Sequence, residues 1–230
     1  LDLILEMSAY THNTPQEVEN MPYFLNTYRV PKAGQYTAVV KGVEESLKAT
    51  GRGGFVNVPV SPRMPGAQSM SVIGTVAGFE TLDDVDALVD GALADDMAGI
   101  AALDKLGAMC DHFNISVSRV LTPPLDLPDD FDAKIISRTQ LAAKPGKGAE
   151  LIEFLLEWIG ELDFRGASIL SVALGGQVGA VRYSQIVESL QALEDFNAQI
   201  TASPRVEKLV ELTSGGAIRG VGRITYINQP

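Results

Sequence analysis

Four short stretches of this 230-residue chain recur, in unchanged order, a little over a hundred residues downstream. Lys32-Ala33-Gly34 opens a helical pattern, and Lys144-Pro145-Gly146 opens another 112 residues later. Arg52-Gly53-Gly54 precedes an apolar run, as Arg165-Gly166-Ala167 does at an offset of 113. Glu80-Thr81-Leu82 and Glu188-Ser189-Leu190 start helices 108 residues apart, and Val117-Ser118-Arg119-Val120 matches Val221-Gly222-Arg223-Ile224 at 104. A slowly drifting offset is what loop insertions and deletions leave between two copies of one unit. Self-similarity on this scale points to two like units of about 100 residues each.

Each unit reads as strand, helix, strand, strand, helix, strand. The second runs Ala133–Ala142, helix Gly146–Leu162, strands Ser168–Leu174 and Val178–Tyr183 around a glycine turn, helix Ser189–Thr201, a short helix Pro204–Leu212 and strand Gly220–Ile227. Leu151, Leu155, Trp158, Ile159 and Leu162 give its first helix an apolar stripe, with Glu150, Glu153, Glu157 and Glu161 on the wet side. Ser189 stands where an N-cap belongs. The first unit repeats the order: strand Tyr23–Val30, helix Gly34–Ala49, strands Phe55–Val60 and Gln68–Val76, helix Thr81–Leu93, a short helix near Gly99–Met109 and strand Ile115–Leu121. The expected organisation is an N-terminal extension over 1–20, a first unit over 21–121, a Pro- and Asp-rich linker over 122–132 and a second unit over 133–230.

A four-stranded sheet with helices on one face leaves its other face bare, so each unit needs the other as a cover. The βαββαβ order is the ferredoxin-like arrangement. With the stretch Ala142-Ala143-Lys144-Pro145-Gly146-Lys147-Gly148-Ala149-Glu150-Leu151, the pattern resembles the dimeric α/β-barrel superfamily, in its antibiotic-biosynthesis-monooxygenase-like or NIPSNAP-like branches. The resemblance implies an α+β fold of two tandem ferredoxin-like units packed as an intramolecular barrel. It also implies a small-molecule enzyme, for which a cofactor-independent oxygenase, cyclase or isomerase acting on an apolar cyclic or polyketide-like compound is the expected activity. Two alternatives stand beside it: a non-catalytic ligand-binding or self-assembling module, and a haem-binding or haem-degrading protein using His112, since haem-handling relatives carry a histidine near the second helix.

Composition removes other classes. Eighteen basic against 29 acidic residues give a formal net charge of −11, which disfavours phosphate-backbone and anionic-lipid partners. One cysteine, Cys110, allows neither an internal disulfide nor a cysteine-based zinc cluster, and the two histidines have no ligand spacing. No metal or cofactor is expected. No apolar run reaches the ~20 residues of a bilayer span. The chain opens on Leu1 rather than Met, which leaves a removed leader open; the expected compartment is the cytoplasm.

Candidate chemistry then rests on polar residues within strands. Tyr28 and Asn26 share one face of the first strand, and Arg138 and Gln140 share one face of its counterpart. Asn57 interrupts an apolar strand, and Arg119 and Arg223 hold matching places on the last strands. His112 is expected at a helix end just before a strand. Arg119, His112, Tyr28 and Asn57 are the candidate catalytic residues, and Arg223, Tyr183 and Arg138 the candidate substrate contacts. Trp158 reads as core. Self-association through sheet edges or helices is the expected assembly.

Overall fold

The computed structural model describes residues 22–61, 71–122, 128, 130–175 and 179–228. The elements are β1 (Tyr23–Pro31), α1 (Tyr36–Ala49), β2 (Gly54–Ser61), β3 (Val72–Phe79), α2 (Leu82–Gly107), β4 (Cys110–Val120), β5 (Ile135–Ala142), α3 (Gly148–Glu161), β6 (Ala167–Ala173), β7 (Ala180–Val187), α4 (Leu190–Ala202), α5 (Arg205–Leu212) and β8 (Ile218–Asn228). The expected extension over 1–20, most of the first hairpin loop, the start of the strand expected from Gln68 and parts of the linker and glycine turn lie outside the described residues.

Every strand pairs antiparallel with two neighbours, and the ring closes in the order β1-β3-β2-β8-β5-β7-β6-β4. The order β4-β1-β3-β2 in the first half returns as β8-β5-β7-β6 in the second. Register agrees too: Tyr23 pairs with Arg119 as Ile135 pairs with Arg223. Two unlike seams join the halves. β2 and β8 are paired from Gly54 to Ser61, whereas β4 and β6 meet only over Ser118–Val120.

A closed sheet has an inner and an outer face, and alternation assigns each strand residue to one of them. Outside, Val39, Val43 and Leu47 recur every fourth residue of α1 and are buried against Val56, Val72 and Val76. Gly74 lets α1 approach, because a Cβ there would stand 2.8 Å from Val43 Cγ1. Leu151, Phe154, Leu155 and Trp158 of α3 cover Leu141, Leu170 and Val181 in the same way, so Trp158 is core. Inside, Val120, Ile136, Ala167, Ile169, Ile186 and Ile224 pack with Phe24 and Phe55 and fill one end of the barrel.

Helix ends follow the local chemistry. Thr81 and Asp84 form a capping box at α2, and Ser189 Oγ accepts from Ala192 N at 3.1 Å to cap α4. Among the described residues, no helix is long and apolar enough to cross a membrane. Where the sequence suggests two helices over 81–109, one segment runs through, but Met97 at φ 64° lies in the left-handed region and turns the chain within it. The turn is tight: a Cβ on Gly99 would lie 2.6 Å from Ala92 Cα.

The last strand of the first half starts at Cys110, five residues earlier than its apolar pattern suggests, because pairing with β1 continues down to Pro31. His112 therefore sits within a strand, exposed, and not at a helix end. Likewise β7 continues past Tyr183 to Val187, its buried Ser184 and Gln185 having hidden the pattern.

Candidate functional site

The inward residues change from apolar to polar along the barrel. Phe24, Asn26, Phe55, Thr75, Ile136, Arg138, Ile169, Ser171, Arg182 and Ser184 line a small cavity inside the barrel. Its apolar part belongs to the filled end just described. Its polar part centres on Arg138, only 7% exposed. Arg138 Nη1 donates to Asn57 Oδ1 at 2.9 Å and Nη2 donates to Thr75 Oγ1 at 3.2 Å. Thr75 Oγ1 in turn donates to Asn26 Oδ1 at 3.0 Å. The guanidinium carbon lies 5.7 Å from the centroid of the Phe55 ring, within cation–π range.

This network crosses between the halves, from β5 to β2, β3 and β1, so it exists only because the barrel closes. Gly222 of β8 makes room for it: a Cβ there would stand 2.4 Å from Asn57 Nδ2. Chemically, a guanidinium with its plane held by two acceptors, facing a partly apolar chamber, can stabilise negative charge growing on an oxygen of a bound molecule.

The candidate residues read from the sequence divide by face. Asn57 and Arg138 come together in the lumen. Tyr28 lies two residues beyond Asn26 on the same face and pairs with Asn114, and its ring meets His112 edge-on at 6.1 Å toward the open end. Arg119 and Arg223 do keep matching positions, but they pair with the first residues of β1 and β5 on the outer face and do not line the cavity. Arg223 is exposed.

Tyr183 is also outward, against Phe196 of α4 with ring centroids 6.4 Å apart, and its hydroxyl shares a 2.8 Å hydrogen bond with Ser168 Oγ. Burial raises its pKa, opposed by hydrogen bonding to Ser168 and Gln185. Beside it, Ser137 Oγ and Gln185 Oε1 are buried without hydrogen-bond partners among the described residues.

No family model and no curated protein matches the sequence. Solved structures do match the fold. A protein provisionally named as a monooxygenase from Fusobacterium nucleatum superposes with a TM-score of 0.69 at 10% identity, over 91% of this chain and 94% of its own. An anthrone oxidase-like protein gives 0.59 at 13% identity, over 91% and 93%. A second provisionally named monooxygenase, from Lactobacillus acidophilus, gives 0.56 at 9% identity, over 90% and 95%.

The shared fold is a closed eight-stranded antiparallel barrel with helices packed on its outer face. At these identities the likeness concerns backbone architecture, so the site has to be read from this chain's own side chains.

Several of those side chains escape a reading of the sequence. Thr75, Ser171 and Ser184 line the cavity as short polar residues inside β-strands, a pattern equally common on wet faces. Arg182 lines it too, although the sequence shows it only as a hairpin end. Arg29 is the other surprise. It is 2% exposed on the outer face, its Nε lacks a hydrogen-bond partner among the described residues, and its guanidinium stacks 4.6 Å from the Phe113 ring centroid. Burial lowers its pKa to about 10, against an opposing upward pull from Cys110.

Proposed function

We propose that this chain is a small-molecule enzyme whose substrate occupies the barrel lumen, and that it acts as a cofactor-independent oxygenase, cyclase or isomerase on an apolar cyclic or polyketide-like compound. The supporting observation is the cavity in which Arg138, held by Asn57 and Thr75, faces Phe24, Phe55, Ile136 and Ile169. In this reading Arg138 stabilises an enolate or phenolate oxygen, Asn57 fixes the guanidinium, and Tyr28 and His112 at the open end take up or deliver the proton. The architecture is read as two tandem ferredoxin-like units, 21–121 and 133–230, of the monooxygenase-like branch, joined by the linker 122–132. The names of the most similar solved structures are in keeping with that choice.

A non-catalytic binding module would use the same lumen. Self-association, in either case, has an edge to use: among the described residues, β4 has no strand partner on its β6 side before Val117.

The test is turnover of a panel of enolisable apolar cyclic and polyketide-like compounds under air, followed by mass spectrometry and oxygen uptake. Product formation by the wild-type chain that is lost in Arg138→Gln and reduced in Tyr28→Phe supports the enzyme. Binding of panel members without any turnover rejects it in favour of the binding module.

A further inference from the structure

We infer that this chain forms a twofold dimer by pairing β4 with β4 of a second copy, antiparallel and centred on Asn114. This rests on the self-association reading above, adds its surface and register, and is independent of any turnover in the lumen.

Backbone parity defines the edge. Val120 N donates to Pro22 O at 2.9 Å, toward β1. Leu121 N donates to Leu170 O at 2.8 Å and Leu174 N to Val117 O at 2.9 Å, both on the β6 side. Odd-numbered residues of β4 therefore aim their N–H and C=O away from β1. The register with β1 runs unbroken from Arg119 to His112 and shifts only between His112 and Cys110. Phe113 and Ile115 thus direct their backbone groups to the open edge, where no strand meets them among the described residues. Their side chains lie on the outer face, 37% and 43% exposed.

A second copy suits this edge. Antiparallel pairing of one strand with itself is isologous, so the same groups meet twice about a twofold axis and the assembly stops at two. With the axis at Asn114, Phe113 lies opposite Ile115 of the second copy and Ile115 opposite its Phe113. Every edge-directed N–H and C=O of these residues is then bonded, and two aromatic–β-branched pairs form on the outer face. Charge points the same way. A formal net charge of −11 sets copies against each other, but His112-Phe113-Asn114-Ile115-Ser116 carries no carboxylate, and an axis at 114 leaves the two Asp111 side chains at opposite ends. The stretch also lacks the lysine or proline that commonly guards an exposed edge. The Arg29 guanidinium already holds the Phe113 ring, 4.6 Å from its centroid, so less freedom is lost on association.

The experiment is sedimentation velocity of the full chain from about 1 μM to 1 mM, joined to cysteine crosslinking. A reversible monomer–dimer equilibrium is expected. Ile115→Lys, first checked for an unaltered melting temperature, should weaken dimerisation at least about tenfold. Asn114 meets its own counterpart as a non-hydrogen-bonded pair, with Cα atoms about 4.5 Å apart and within disulfide reach. Asn114→Cys should therefore give a covalent dimer in a glutathione redox buffer. Ser116→Cys, whose Cα would stand about 14 Å from its counterpart, should not.

A chain monomeric throughout, no crosslink at 114, equal crosslinking at 114 and 116, or a dimer that Ile115→Lys leaves intact overturns the inference. The last of these spares self-association, which then uses another face. A monomeric chain removes both and leaves the edge to an extended segment of another protein.

Discussion

Asn57 Oδ1, on a strand of the first half, accepts a hydrogen bond from Arg138 Nη1, on a strand of the second, across 2.9 Å inside the barrel. Replacing Asn57 by Leu keeps the bulk and removes the acceptor. A hydrogen bond to a buried charge is worth about 1.5–3 kcal/mol, so unfolding in urea should show a loss of that order. An unchanged midpoint and slope would mean that the guanidinium is equally well held without Asn57.

Gly222 and Asn57 should be energetically coupled. A methyl group at 222 would meet Asn57 Nδ2 at 2.4 Å, so Gly222→Ala should destabilise by about 1–3 kcal/mol. In an Asn57→Ala background the same change meets no amide, and most of that cost should vanish. A double-mutant cycle measures the difference directly, and simple additivity would show that the clash is relieved elsewhere.

Arg29 is predicted to be a net burden on stability. A guanidinium taken from water without a compensating anion costs free energy, so Arg29→Met should raise stability at pH 7 by about 1–3 kcal/mol. Its folded pKa, about 10, lies below the usual guanidinium range. Below pH 10 both states are protonated and the penalty is complete. Above it the folded form releases the proton first, the unfolded chain binds more protons, and stability recovers. The gap between wild type and Arg29→Met, measured by urea unfolding at pH 7 and pH 10.5, should therefore narrow at the higher pH.

Glu150 on α3 receives Lys147 and Lys208, whose ammonium groups lie 2.6 and 2.8 Å from its oxygens and hold its pKa down to about 2. A depressed carboxylate supports the fold above its ordinary value near 4.5 and stops doing so as pH falls through 2. Glu150→Gln should lower the melting temperature slightly at pH 6, more at low salt than at high. The difference from wild type should fade between pH 4.5 and 2. The pair is exposed, so the whole effect is small.

The acidic stripe of α3 illustrates what was legible and what was not. Spacing in the sequence shows Glu150, Glu157 and Glu161 on a wet face, but not that α5 would lay Lys208 and Arg205 against them. Strand order followed from hydrophobic alternation and from the matched stretches, and the register pairing Arg119 and Arg223 with the first residues of β1 and β5 agrees with their equivalence.

The direction in which those arginines point was not legible. Both faces of this sheet are covered, one by helices and one by the opposite wall, so apolar residues occur on both and periodicity fixes parity without fixing inside from outside. Arg138 and Asn57 could be picked out as polar residues within buried strands. Their partnership spans 81 positions and appears only when β2 and β5 are set on either side of β8.

Asn26 and Arg138 hold the same register position in their halves, Asn26 opposite Thr75 and Arg138 opposite Ser184. Two identical subunits closing such a ring would set like against like at that level, amide to amide or cation to cation, about a twofold axis. A single polypeptide is free of that rule. One wall can supply the cations and the opposite wall the acceptors that hold one of them, so the interior is polarised across its diameter. A guest in this chamber meets a handed, one-way field that no symmetric pair of small subunits could present.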